Sequence, residues 1–248
     1  MSSLKISSAV LITLGSLISY VPQIHKIVIN KSVDGISQIS LVLTNMGMFC
    51  LTMNSLIFTW TSIINHHWIE ILPFVQIASS WLMVLIYYII FLLYNFKKQK
   101  KRFIYGLHYL TTYILFVIFL ISLTIGEYES VKNQDNFFDI FARALGYCSA
   151  IINSVVYIPQ IIEIYRKKSV GSNSFVMYFM QTPGNAIIIL FQAVVYNGHI
   201  STWITYVIVF IQQTIVLLLM TYYHYSPVDK SFPIIQESWH ISDDELLV

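Results

Sequence analysis

The chain has 248 residues, of which 56% are hydrophobic and only 10% are charged, and its mean hydropathy is +0.69. Soluble domains carry about 25% charged residues, so this composition excludes a domain that faces water on every side. The net charge of +2 predicts no binding of nucleic acid, because such binding depends on many cationic contacts to phosphates.

Seven apolar segments are long enough to cross a membrane as helices, which requires about 20 residues each. In chain order they run near 6–27, 37–60, 70–94, 103–125, 138–164, 174–197 and 201–224. Strands are excluded because the runs are long and lack an alternation of period two. Asp139 and Arg143 weaken the fifth segment, and we expect them at its entrance. The sequence therefore predicts an all-α integral membrane protein with seven transmembrane helices.

A repeated phrase relates the first three segments to the last three. Residues 20–37 and 157–174 are identical at nine of eighteen positions, and the same offset of 137 residues pairs Gln76 with Gln213. Three segments are an odd number, so the one segment between the repeats brings both to the same starting face. We predict two parallel three-helix repeats, 1–96 and 137–225, joined by a linker helix with its loops over 97–136 and followed by a tail over 226–248.

Positive charge predicts the orientation, because cytosolic loops of membrane proteins are enriched in lysine and arginine. If the N-terminus is lumenal, eleven of the basic residues are cytosolic: Lys26, Lys31, Lys97, Lys98, Lys100, Lys101, Arg102, Arg166, Lys167, Lys168 and Lys230. The other three, Lys5, Lys132 and Arg143, then lie on the lumenal side. We therefore predict a lumenal N-terminus and a cytosolic C-terminus.

A proline followed by glutamine lies inside the first predicted helix, as Pro22 and Gln23, and again inside the fifth, as Pro159 and Gln160. Proline removes one backbone donor from a helix and frees the carbonyl four residues earlier, which predicts a kink. The adjacent glutamine side chains could supply the missing hydrogen bonds. A purely structural kink is the alternative, but two copies at matching places favour a pair of hinges.

These residues resemble the PQ-loop family, to which cystinosin and the vacuolar and lysosomal amino-acid exporters belong. The matching residues are Pro22, Gln23, Lys31, Ser32, Val33, Gly35, Ser37 and Gly47 in the first repeat, and Pro159, Gln160, Lys168, Ser169, Ser174 and Gly184 in the second. SWEET sugar carriers and KDEL receptors share the same plan as looser relatives. The resemblance implies transport of a small solute across an endomembrane, lysosomal or vacuolar, with the prolines as hinges for alternating access. A receptor or scaffold that binds its ligand or partner without transport, as KDEL receptors do, is the alternative.

One residue departs from the pattern of the proton-driven relatives. Those proteins carry an acidic residue thirteen positions after the loop lysine of the second repeat, and here that position is Gln181. Ionisable residues at membrane depth usually mark proton pathways. The departure therefore predicts that transport depends less on a proton gradient than in those relatives.

Amide side chains inside the predicted helices are the candidates for contacts with the solute: Asn45, Gln76, Asn153, Gln181, Asn185 and Gln213. An amide is costly in lipid unless it finds a partner, and a central cavity between the repeats would collect such groups. The alternative is that they join neighbouring helices directly. The matched pair Gln76 and Gln213 favours a cavity. We find no arrangement typical of catalysis or metal binding and expect no enzyme activity, cofactor or metal.

The polar tail contains Asp243, Leu246 and Leu247, whose spacing resembles an acidic dileucine sorting signal. The predicted topology puts this tail on the side of the cytosolic sorting adaptors, which makes them possible partners. The other expected partners are a small solute, with an amino acid favoured by the resemblance, and the lipid bilayer.

Overall fold

The computed structural model describes residues 2–33, 36–98, 100–130, 135–168 and 173–225. These ranges form helices and contain no strand. The helices are α1 (Ser2–Asn30), α2 (Gln38–Ile64), α3 (Trp68–Lys98), α4 (Lys100–Ser130), α5 (Asp135–Val156), α6 (Ile158–Lys167), α7 (Phe175–Leu190) and α8 (Ile200–Tyr225), and a π-helical turn, Phe191–Val195, follows α7 directly.

The described helices include seven stretches that are long and apolar enough to cross a membrane, which confirms the predicted all-α fold with seven spans. The fifth stretch, Asp139–Arg166, runs from α5 into α6, and the sixth, Phe175–Val195, continues from α7 into the π-helical turn. The division into units ending at 96, 136 and 225 stays a prediction. The tail over 226–248 lies outside the described residues.

The two repeats pack in the same way. In each, the third helix lies against the other two: α3 contacts α1 and α2, and α8 contacts α5 and α7. The repeats meet where α2 packs against α5 and where α1 packs against α7, while α4 packs against α2 and α3. The first helix of each repeat therefore meets the second helix of the other, as an axis along the membrane normal between parallel repeats requires.

The two Pro-Gln motifs differ in the backbone around them. Helix α1 runs unbroken through Pro22. The fifth predicted helix instead breaks at Tyr157, and α6 begins at Ile158 with Pro159 in its first turn. Proline is tolerated in a first turn because an N–H at that position would have no partner within the helix. The sequence predicted a kink at both motifs, and the structure interrupts the helix at the second.

Both helices that carry a motif end in the same conformation. Lys31 after α1 and Lys168 after α6 are equivalent in the repeat, and each has φ of 47°, in the left-handed region. A single left-handed residue commonly ends a helix. Helices α3 and α8 finish at this end of the bundle as well. We call it the Pro-Gln end, and the opposite end the far end.

Candidate solute site between the two repeats

A cavity of about 330 Å³ lies between the repeats, lined by residues of α1, α2, α3, α5, α7 and α8. This volume is within the range of about 300–1,000 Å³ typical of small-molecule sites. Four of the six predicted solute residues line it: Asn153, Gln181, Asn185 and Gln213. Among the described lining residues there is no acidic or basic side chain. We call this space the central cavity.

A chain of amide hydrogen bonds crosses one wall of the central cavity. Asn185 Nδ2 donates to Gln213 Oε1 at 2.8 Å, and Gln213 Nε2 donates to Gln181 Oε1 at 2.9 Å. Gln181 Nε2 continues the chain to the Ser19 hydroxyl at 3.3 Å. The network therefore joins α7 and α8 of the second repeat to α1 of the first.

Gln213 also holds an aromatic side chain at the break between α5 and α6. Its Nε2 donates to the Tyr157 hydroxyl at 2.7 Å. Tyr157 and its repeat equivalent Tyr20 both line the central cavity. Neither tyrosine was among the residues selected from the sequence, although each opens the repeated phrase that contains the Pro-Gln motif. That position in the repeat was the available signal.

The remaining two predicted residues do not line the cavity. Asn45 is fully buried and donates from Nδ2 to the Leu41 carbonyl at 2.9 Å within its own helix. Gln76 is also buried, and its Nε2 meets no hydrogen-bond acceptor among the described residues. Ser80, one turn after Gln76, does line the cavity, and its hydroxyl donates to the Gln76 carbonyl at 3.0 Å.

The repeat offset explains why Gln76 and Gln213 have different surroundings. Gln213 bonds to Gln181 and Asn185, whereas Thr44 and Met48 occupy the corresponding positions of the first repeat. The Thr44 hydroxyl is engaged within its own helix, where it donates to the Ser40 carbonyl at 2.7 Å. Methionine offers only a weak acceptor. The first repeat therefore cannot build the amide chain that the second repeat builds.

The glutamines of the two motifs reach across to the opposite repeat. Gln23 Oε1 accepts from the backbone N–H of Ser174 at 2.7 Å, and Gln160 Oε1 accepts from that of Ser37 at 3.4 Å. Ser174 is the N-cap of α7, and Ser37 precedes the first residue of α2. Because the first N–H groups of a helix have no partner within it, each glutamine satisfies a donor at the start of the other repeat's second helix.

Further contacts join the repeats at the Pro-Gln end. The Ser40 hydroxyl donates to the Val156 carbonyl at 2.7 Å, and Lys26 Nζ donates to the Asn173 carbonyl at 2.6 Å. Within the second repeat, Gln212 Nε2 donates to the Ser154 carbonyl. Two carbonyls in the last turn of α5 thus find donors on neighbouring helices, which is how membrane proteins tolerate a broken helix.

The predicted sorting residues Asp243, Leu246 and Leu247 lie outside the described residues. Their role stays a prediction.

The chain is similar to known proteins in its repeats, its sequence and its fold. The family model described as PQ loop repeat matches residues 7–64 and 141–196. An uncharacterized protein of Schizosaccharomyces pombe is 29% identical over 126 residues, which is 51% of this chain and only 38% of that protein's length. The structure of a eukaryotic SWEET transporter superposes with a TM-score of 0.59 and 13% identity, covering 90% of this chain and all of the other. The two matched segments contain both Pro-Gln motifs and most of the first two helices of each repeat, so the chain belongs to the PQ-loop repeat family.

Proposed function

We propose that this chain is a membrane carrier for a small polar solute and that the solute is an amino acid. The single observation that carries the proposal is the central cavity between the repeats, with its chain of amides through Gln181, Asn185 and Gln213. Family membership and the fold shared with a SWEET transporter support a carrier.

The chemistry of the cavity supports a solute without net charge. Amide side chains offer both donors and acceptors, so they can bind both the ammonium and the carboxylate of a zwitterion. A cavity without acidic or basic side chains among its described residues has no group to balance a net charge on the solute. An unpaired charge at membrane depth is costly. A neutral zwitterionic amino acid satisfies these requirements.

The proposed mechanism is alternating access, in which the repeats rock against each other around the cavity. Pro22 with Gln23 and Pro159 with Gln160 are the proposed hinges. The break at Tyr157 supports this role, because a helix interrupted at one residue can change its angle there without losing hydrogen bonds elsewhere. The glutamine contacts with Ser174 and Ser37 would then part and re-form as the Pro-Gln end opens and closes.

We further propose a lysosomal or vacuolar membrane, with the N-terminus lumenal and the C-terminus cytosolic. The lysosomal or vacuolar location rests on the resemblance to the PQ-loop family. The orientation rests on the charge distribution, because Lys26, Lys31, Arg166 and Lys168 all lie near the Pro-Gln end, which the positive-inside rule assigns to the cytosol. Protease protection of terminal tags in sealed vesicles tests the topology. A protected C-terminal tag would invert it.

Uptake by proteoliposomes that contain the purified full chain tests the proposed function. Radiolabelled L-serine, L-glutamine and L-alanine are compared with D-glucose, and empty liposomes serve as the control. We expect saturable uptake of at least one amino acid. Uptake of glucose alone would assign a sugar carrier instead, and saturable amino-acid binding without flux would assign a receptor.

A further inference from the structure

A second cavity, of about 360 Å³, lies at the far end of the bundle. It is formed by the last turns of α2, the first turns of α3 and α8, and the π-helical turn with the loop that follows it. Most of its lining side chains are polar, and they include Ser62, Glu70, Gln192, His199 and Thr202. The second cavity holds a carboxylate, that of Glu70, whereas the described lining of the central cavity holds none.

Buried apolar side chains separate the two cavities. Ile12, Leu51, Ile77, Ile188 and Tyr206 form one contiguous cluster, which we call the apolar plug. Along α2, residue 51 lies between residues 44 and 48 of the central cavity and residues 55–62 of the second cavity. The same order holds on α3 around residue 77. The plug residues Ile12, Ile188 and Tyr206 also line the central cavity, so they form its wall towards the second cavity. The two cavities therefore lie in line, one on each side of the plug.

Glu70 provides the only carboxylate among the described residues of either cavity lining. Its Oε2 accepts from the Ser62 hydroxyl at 2.5 Å and lies 3.8 Å from His67 Nδ1. Both contacts use the same oxygen, and no described residue hydrogen bonds Oε1. The Ser62 hydroxyl orients this carboxylate, and 62% of the Glu70 side chain is exposed, so the group is open to a cationic ligand.

Gln192 contributes the opposite chemistry. Its side chain is 2% exposed, lines the second cavity, and has no acceptor for Nε2 among the described residues. A buried amide donor that meets no acceptor costs about 1–3 kcal/mol, so such groups usually have a function. Gln192 lies in the π-helical turn, and the loop that follows fixes its backbone, because the N–H of Gly198 donates to the Gln192 carbonyl at 2.8 Å. Such turns recur at functional sites.

From these observations we propose that the second cavity is an outer binding site for a zwitterionic amino acid, where Glu70 binds the ammonium and Gln192 donates to the carboxylate. The inference rests on the proposed function, because it gives the solute a first site on its path to the central cavity. The apolar plug separates the two sites and must part for the solute to pass between them.

Equilibrium dialysis of the purified full chain in detergent tests this site, with radiolabelled L-serine as the probe and N-acetyl-L-serine, which lacks the ammonium, as the comparator. We expect Glu70→Gln to weaken binding at one of two L-serine sites by about tenfold or more, as expected for loss of a charge-assisted contact. Asp139→Asn is the matched control. It removes a carboxylate that pairs with Arg143 on α5 and lines neither cavity.

Superimposable L-serine binding curves for the wild type and Glu70→Gln would overturn the site. So would equal affinity of the wild type for L-serine and N-acetyl-L-serine, or no binding of L-serine to the wild type. Should Glu70→Gln fold poorly, Gln192→Met removes the amide donor at similar length, and the same loss is expected. Glu70-dependent binding without flux in proteoliposomes would leave the outer site standing and overturn the carrier. If Glu70→Gln changes neither flux nor binding, the carrier would stand and the outer site would be overturned.

Discussion

Positions 137 residues apart have different surroundings in the two repeats. Pro22 lies inside an unbroken α1, whereas Pro159 follows a helix break at Tyr157. Gln213 bonds to three side chains at the central cavity, whereas Gln76 is buried and its amide donor meets no acceptor in the described part of the chain. The duplicated sequence supplies one fold twice, but the contacts proposed for solute binding and for bending are concentrated in the second repeat. In the proposed mechanism, the first repeat would supply most of the frame against which the second moves.

The largest difference between the repeats is expected at the prolines. Pro159→Ala restores the donor that the Val155 carbonyl lacks and favours a continuous α5–α6 helix, so we expect amino-acid flux to fall about tenfold, equivalent to roughly 1.4 kcal/mol on the switching barrier. Pro22→Ala acts on a helix that is already continuous, and we expect a loss of about threefold or less. Proteoliposome uptake, corrected for the amount of inserted protein, measures both. Equal losses would show that the hinges are equivalent.

The repeat-equivalent glycines Gly47 and Gly184 are expected to differ in how far an added methyl group lowers the thermal stability of the protein. A methyl group on Gly47 would collide with Asn153 Nδ2 across the α2–α5 interface, where the Gly47 carbonyl also accepts from the Ser149 hydroxyl at 2.7 Å. Its repeat equivalent Gly184 has no atom within 4 Å of that position. We expect Gly47→Ala to destabilise the protein by about 1–3 kcal/mol, as overpacking usually does.

The matched control for this prediction is Gly184→Ala, which should fold with a melting temperature close to that of the wild type. Thermal unfolding in one detergent compares the two variants directly. A Gly184→Ala protein that melts as early as Gly47→Ala would show that the open space beside Gly184 is not a property of the folded protein.

The two motif glutamines give a smaller difference. Loss of the 2.7 Å contact in Gln23→Ala leaves the buried N–H of Ser174 without that acceptor, and we expect a cost of about 1 kcal/mol beyond the cost of truncation. Gln160→Ala loses a longer contact of 3.4 Å with Ser37 and should cost only a few tenths of a kcal/mol beyond truncation. Unfolding of both variants in denaturant measures the difference. A greater loss for Gln160→Ala would contradict the ranking.

The smallest expected effect is that of a proton gradient. Gln181 lies in the amide chain where the proton-driven relatives carry an acid, and an amide does not titrate in the physiological range. We expect an imposed pH difference to change wild-type flux by less than about twofold at clamped voltage, since no described residue of the central cavity titrates near neutral pH. Gln181→Asp should increase the pH dependence. Uphill accumulation by the wild type, driven by pH alone, would contradict the prediction.

Much of the fold could be predicted from the sequence. Membrane helices are recognised by the length of their apolar segments, and the repeat is recognised by the sequence identity of its two copies. Seven spans and the parallel arrangement of the repeats required only these two signals. The break at Tyr157 and the π-helical turn at Phe191–Val195 did not follow. Pro22 and Pro159 lie in similar phrases, YVPQI and YIPQI, and only the structure shows the donors on neighbouring helices that reach the carbonyls of Ser154 and Val156 beside the second motif.

The site was predictable in part. Asn153, Gln181, Asn185 and Gln213 were selected because amides at membrane depth need partners. The same reasoning selected Asn45 and Gln76, which the packing of α2 and α3 buries away from the central cavity. A single sequence does not specify which face of a helix points to the cavity when polar residues occur on several faces. For the same reason, the sequence did not reveal the role of Ser19 as a network partner.

Flux through the matched variants Gln213→Met and Gln76→Met tests most directly whether the second repeat provides the solute contacts. Each substitution keeps the length of the side chain and removes one amide at an equivalent position. We predict that Gln213→Met lowers saturable amino-acid uptake by about tenfold or more, since it breaks the amide chain. Gln76→Met should change uptake by less than about twofold, because its amide donor bonds to none of the residues that the structure describes. Equal losses in the two variants, or a greater loss for Gln76→Met, would contradict the account.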